Sequence, residues 1–261
     1  MDSQSRLFNN LSISSQQILK KGLKLLGPVT GAYLGSLSSN PESVMIAAAV
    51  GDAIAQNMND FAEKHLSQKE SKNISITEIF SIAKILENQD KGGFVNDKLL
   101  NNQISGNAYE MYHGILTAAK NNYEDKKLEL IGRFYGNIIF IDWLEPYFFH
   151  ILLSTLNNLN YKQLCILAVI GLHEDFEKQL KSLEDLQGRD NWYETRLIQN
   201  ELSNMIATGL LEPHNTALMT YVGHRHLNNC RLGLVGELLF KICELDVIDK
   251  EDLEDIVNKF I

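Results

Sequence analysis

Proline is scarce in this chain, with four in 261 residues, and cysteine is scarcer still, with three. So few prolines leave long stretches free to form uninterrupted helix, because proline removes an amide donor and clashes with the preceding turn. Cys165, Cys230 and Cys243 give neither an even count nor a Cys-x-x-Cys spacing. That excludes a disulfide framework and a thiolate zinc site, and points to reduced core thiols in a cytoplasmic protein. Positive charge is also short: 24 Lys and Arg face 33 Asp and Glu, for a net charge of -9. Such a balance argues against a surface that tracks nucleic-acid phosphates. No apolar run reaches the ~20 residues that cross a bilayer. Lys20-Lys21 ahead of apolar residues has a signal-like look, but Pro28 and the glycines around it interrupt the run. No Ser-His-Asp set, phosphate-binding glycine loop or dinucleotide fingerprint is present, so no cofactor and no enzymatic role is expected.

What the chain has in abundance is helical periodicity. The expected fold is mainly α: a helical N-terminal and middle region, then a winged-helix-like domain with a small two-stranded wing. Three parts are expected: a glycine- and alanine-rich helical segment over 1–66, a helical bundle over 67–158 and the winged-helix-like part over 159–261.

The first part is the most unusual. A basic amphipathic helix over Gln16 to Leu26 sets Lys20, Lys21 and Lys24 beside Ile18, Leu19, Leu23 and Leu26. Gly27, Gly31 and Gly35 recur at the spacing of one helix face, and a face without side chains lets another backbone approach closely. Lys20, Lys21, Leu23, Lys24, Gly27, Gly31 and Gly35 are therefore candidates for binding a membrane surface or a second copy of the chain. The alternative is that both segments pack inside a helical domain, with the lysines in water.

In the bundle part, Ser67-Gln68-Lys69-Glu70 has capping-box spacing and opens a helix with Ile76, Ile79, Phe80, Ala83 and Leu86 inward, stopped by Gly92-Gly93. Helices over about Gly106 to Asn121 and Glu124 to Ile141 turn inward Met111, Tyr112, Ile115 and Ala119, and Leu128, Ile131, Phe134, Tyr135 and Ile138, respectively. Trp143 to Leu156 is apolar nearly all round, which predicts a central helix.

After the Asn157 to Asn160 boundary come an apolar helix to Leu172 and an amphipathic one from Arg196 to Thr208, ending at Gly209-Leu210-Leu211. Ala217 to Val222 is the best strand, with a partner near Cys230-Arg231-Leu232. Helices over Gly233 to Leu245 and from Asp249 to Phe260 close the chain. If this part read DNA, Arg196, Asn200, Arg225 and Arg231 would make the contacts; the excess of acids makes DNA the less favoured partner and a protein the more favoured one. Glu110 and His113 have the spacing of half a di-metal site, but no second pair exists. His214, His224 and His226 lack a completing ligand, so no metal is expected.

Leu66-Ser67-Gln68-Lys69-Glu70, then Glu110…Gly114…Ala118…Glu124-Asp125-Lys126-Lys127…Gly132…Asn137, then Tyr161-Lys162-Gln163-Leu164, then Gly233…Leu238-Leu239…Glu244-Leu245-Asp246 run in one order. In that order they resemble a family of bacterial proteins with a glycine/alanine-rich N-terminal region, a winged-helix-like C-terminus and no assigned reaction. The layout is also similar to that of abortive-infection proteins of phage defence. The resemblance implies a non-catalytic defence or regulatory protein whose N-terminal helices engage a membrane or self-associate, cytoplasmic or peripheral at the inner membrane. The other reading is a soluble adaptor that binds a protein through its C-terminal domain.

Overall fold

The structure is a computed structural model and describes residues 66–93, 107–173, 176, 192–213 and 230–260. Eight α-helices and two short strands occur among them: α1 (Gln68–Asp90), α2 (Asn107–Lys120), α3 (Asp125–Ile138), α4 (Pro146–Asn158), α5 (Tyr161–Gly171), α6 (Trp192–Ala207), β1 (Leu211–Pro213), β2 (Cys230–Leu232), α7 (Leu234–Ile242) and α8 (Lys250–Phe260). The described residues are thus mostly helical with a small two-stranded sheet. It divides into two compact units on either side of the Asn157–Asn158 bond.

The first unit is organised by the crossing of α1 and α3. Gly132 and Gly136 of α3 lie flush against α1. A Cβ on Gly132 would stand 2.5 Å from Phe80 Cβ and 2.6 Å from Thr77 O, and one on Gly136 would stand 2.5 Å from Lys84 Cβ and 2.9 Å from Ser81 O. Only residues without a side chain allow two helix backbones this close. At that distance the short polar side chains of α1 reach the backbone of the chain opposite. Thr77 Oγ1 donates to Leu128 O at 3.2 Å, and Asn88 Nδ2 donates to Gly136 O at 3.0 Å and to Asn137 Oδ1 at 2.8 Å. Asn73 Nδ2 donates to Asn122 O at 2.7 Å, while its buried Oδ1 has no partner.

The buried face of α1 therefore holds Asn73, Thr77, Glu78, Ser81 and Lys84 beside Ile74, Phe80, Ala83 and Ile85. This differs from the apolar stripe expected from sequence, in which Ile76, here only half-buried, was an inward residue. The capping box forms as expected: Ser67 N donates to Glu70 Oε2 at 2.7 Å and Glu70 N to Ser67 Oγ at 3.2 Å. Gly92, at φ +78°, ends the helix.

Met111, Tyr112, Ile115 and Ala119 of α2, and Leu128, Ile131, Phe134, Tyr135 and Ile138 of α3, are buried as their periodicity predicts. Helix α4 departs from expectation. Pro146 stands at its first position, where the missing amide costs nothing. Phe149, Leu152, Leu153 and Leu156 are buried, and Phe149 packs on Phe134 at 5.8 Å between ring centroids. Trp143, Tyr147, Phe148 and Ile151, however, face solvent. The reading of Trp143 to Leu156 as a central helix is corrected: one stripe is core and the other is surface.

In the second unit α5 is the buried element, with every residue from Leu164 to Ile170 inside. Asn160 and Gln163 cap it reciprocally. Tyr161 Oη donates to Asp252 Oδ2 of α8 at 2.9 Å, and Gln163 Nε2 to Glu201 Oε2 of α6 at 2.6 Å. Helix α6 ends in a Schellman turn: Leu210 N donates to Met205 O at 2.9 Å and Gly209 N to Ile206 O at 3.0 Å, with Gly209 at φ +73°. The chain then enters β1, which pairs antiparallel with β2, Leu211 opposite Leu232. Sequence reading took Leu211 as a helix end and placed the first strand at 217–222, which lies outside the described residues. Gly233 N donates to Leu210 O at 2.9 Å, and a Cβ on Gly236 would overlap that same carbonyl. The three cysteines are free and buried.

The α1–α3 crossing makes a direct test. Gly136→Ala forces a methyl against backbone that cannot yield, and overpacking of this kind costs about 1–3 kcal/mol. In Gly114→Ala the methyl meets only the end of the Leu153 side chain, 3.0 Å away. That substitution should be neutral or stabilising by up to ~1 kcal/mol through helix propensity. Urea unfolding of both variants checks this, and equal stability of the two would show that the crossing is looser than described.

Candidate functional site

Two features of the first unit carry unusual chemistry. The first is Glu78, a carboxyl only 3% exposed. It faces α2, where Tyr112 Oη donates to its Oε1 at 3.2 Å. The Tyr112 ring lies against that of Tyr135, 5.1 Å between centroids, and both phenols are buried. Two buried cations of α1 and α3 are engaged elsewhere. Lys84 pairs with Glu87 at 2.8 Å, and Arg133 with Glu129 at 2.8 Å while lying over the Phe80 ring. Burial without a cation pushes the Glu78 carboxyl up to about 7, opposed only by the Tyr112 hydrogen bond. Tyr112 is held well above the ordinary phenol range, by burial first and then by the Glu78 charge. All three groups are sealed from solvent, so Glu78 bears on stability and not on a dissolved substrate.

The second feature is the exposed side of α4 together with the turn that precedes it. Tyr147 is 70% exposed, Trp143 54%, Phe148 48% and Ile151 38%, values that only an uncovered surface gives such large apolar groups. Tyr147 and Ile151 are one turn apart and Phe148 lies beside them, its ring edge-on to Tyr147 at 5.8 Å between centroids. Asp142 and Glu145 are exposed at the same end, and His150 is exposed on the helix. No Lys or Arg occurs between Arg133 and Lys162. Sequence reading missed this face because apolar residues on every side of a helix fit a core position and a two-sided contact equally well.

The residues singled out from sequence fall elsewhere. Lys20, Lys21, Leu23, Lys24, Gly27, Gly31 and Gly35 lie outside the described residues, as do Arg225, His214, His224 and His226. Arg196 and Asn200 lie one turn apart on α6, with Asn200 exposed. Arg231 is on β2 and donates to Glu212 Oε2 across the sheet at 2.8 Å, so its charge is already matched. Glu110 is exposed, and the His113 ring is 3.5 Å from Thr117 Oγ1. Among the described residues no group of three or more His, Cys, Asp or Glu is placed to hold a metal ion, and no helix is long and apolar enough to cross a membrane.

Glu78 gives a pH dependence with a definite sign. Its folded value, about 7, lies above the ordinary 4.5. Below 4.5 both folded and unfolded chains hold the proton. Between the two values only the folded chain does, so stability falls as pH rises, and above about 7 the loss is complete. At 1.36 kcal/mol per pH unit the loss is on the order of 3 kcal/mol. Glu78→Gln keeps the acceptor for Tyr112 and cannot ionise. It should therefore gain on the parent from pH 5 to about pH 7 and hold that gain above it in urea unfolding; parallel stability curves would exclude a buried neutral carboxyl.

No protein-family model, no curated protein and no solved structure matches this chain, so its function has to be read from these side chains.

Proposed function

We propose that this chain is a non-catalytic bacterial regulatory or defence protein that works by binding another protein, with the Trp143, Tyr147, Phe148 and Ile151 face as a docking surface. The observation that carries the reading is the exposure of two aromatic rings and an isoleucine on one side of a well-anchored helix, with Trp143 exposed in the turn that leads into it. Contiguous apolar surface of this kind is costly in water and marks interaction sites, and Trp and Tyr are the residue types that dominate binding energy at protein interfaces.

The second unit fits an adaptor of winged-helix type. Helix α6 leads through a tight turn into β1, β2 pairs with β1, and α7 follows. Protein binding is favoured over DNA binding there, because Arg231 is paired with Glu212 and the whole chain carries a net charge of -9. A second reading places the action in the N-terminal segment. Lys20, Lys21 and Lys24 beside Leu23 suit an interfacial helix, and Gly27, Gly31 and Gly35 suit self-association. The protein would then be peripheral at the inner membrane. Flotation with anionic vesicles separates the readings, since only the second expects binding that Lys20→Glu with Lys24→Glu removes.

The docking reading is tested by a photo-crosslinking residue in place of Tyr147, with exposed Lys162 as the control position, in the cells that make the protein. The expected outcome is an adduct to another protein from position 147 and none from 162. Adducts to lipid, to the chain's own copies or from both positions equally would overturn it.

A further inference from the structure

We infer that the occupant of the α4 face is a basic amphipathic helix of a partner protein. This rests on the reading of that face as a docking surface and names what it selects. The stretch of chain that forms the face carries charge of one sign. Asp142 and Glu145 stand exposed at its end, and the chain carries no Lys or Arg from Phe134 to Tyr161. The N-terminus of α4 offsets part of the Glu145 charge, since a helix start carries roughly half a positive charge, but Asp142 lies before the helix and outside that field.

This pattern discriminates between occupants. A second copy docked through the same face would bring Asp142 and Glu145 toward their own equivalents, between two chains that each carry -9. An anionic membrane would be repelled as well, and the face lacks the Lys and Arg side chains that attract such a surface. A cationic partner gains on both counts, because its apolar stripe covers the rings and its lysines reach the two carboxylates.

The shape of the face also suits a helix. Tyr147, Phe148 and Ile151 are presented at helical spacing, and Trp143 is exposed in the turn just before the helix. A facing helix with apolar residues at i, i+3, i+4 and i+7 matches such a ridge.

The full chain carrying Trp192→Phe leaves Trp143 as the only indole and so reports on the face. It is titrated with two synthetic helices of about 14 residues that share one leucine stripe, one with lysine and the other with glutamate on the polar side. The lysine helix should bind about tenfold more tightly than the glutamate helix, as two rim charges allow. The ratio should fall toward one in Asp142→Asn with Glu145→Gln, and in high salt. Tyr147→Ser with Phe148→Ser should abolish binding of the lysine helix at an unchanged melting temperature. Equal or tighter binding of the glutamate helix, still removed by the serine variant, would overturn the choice of partner and leave the docking surface standing. Binding of neither helix, or binding untouched by the serine variant, would overturn both. A dimer in sedimentation, or flotation on phosphatidylglycerol vesicles, that Phe148→Ser removes would overturn the proposal in favour of a second copy or a membrane.

Discussion

The closeness of the α1 and α3 backbones governs the first unit. Gly132 and Gly136 remove the side chains that would hold the helices apart, and what fills the seam is short and polar. At ordinary helix separation Thr77 could not reach Leu128 O, nor Asn88 reach Gly136 O. Leu128 O lies inside α3 and accepts from its own helix, so Thr77 uses its second lone pair, whereas Gly136 O lies in the last turn, where Phe140 N turns to Asn137 O, and Asn88 supplies a donor that the helix does not. Thr77 and Asn88 thereby fix the register of one helix against the other, a specificity that greasy side chains alone do not give.

The same low-dielectric interior explains why the buried charges differ in character. Arg133 and Lys84 lie within their own helices' reach of Glu129 and Glu87, so each brings its countercharge with it. Lys127 sets its amine on Asn157 O, at the end of α4 where the helix field favours a cation. Glu78 has only the Tyr112 hydroxyl, whose hydrogen bond favours the charged form but does not offset the burial. It is therefore the member of the group whose charge state depends on the medium.

The elements with a clean 3.6 period were legible: the inward sets of α2 and α3, the Ser67–Glu70 cap and the stops at Gly92 and Gly209 all follow from local rules. The polar seam of α1 was not, because Asn73, Thr77 and Ser81 count as surface residues until the glycines opposite are known to face them. Strand β1 was missed since three residues after a helix carry no period of their own, and Leu211 becomes a strand only through pairing with Leu232. The aromatic face was visible as composition but not as exposure. Hydrophobicity records what prefers to leave water, and Trp143 and Tyr147 have nothing within the described residues to leave it for.

The anchoring of α4 has a thermodynamic consequence. Phe149 on Phe134, Leu153 against Gly114 and Lys127 on the last turn hold the helix along its length from behind. Little backbone remains to be ordered when its front is covered, and each ring freezes only two torsions. Complex formation there would resemble the meeting of two preformed bodies. Its heat-capacity change would track the apolar area removed from water, without the larger signature of a segment folding as it binds.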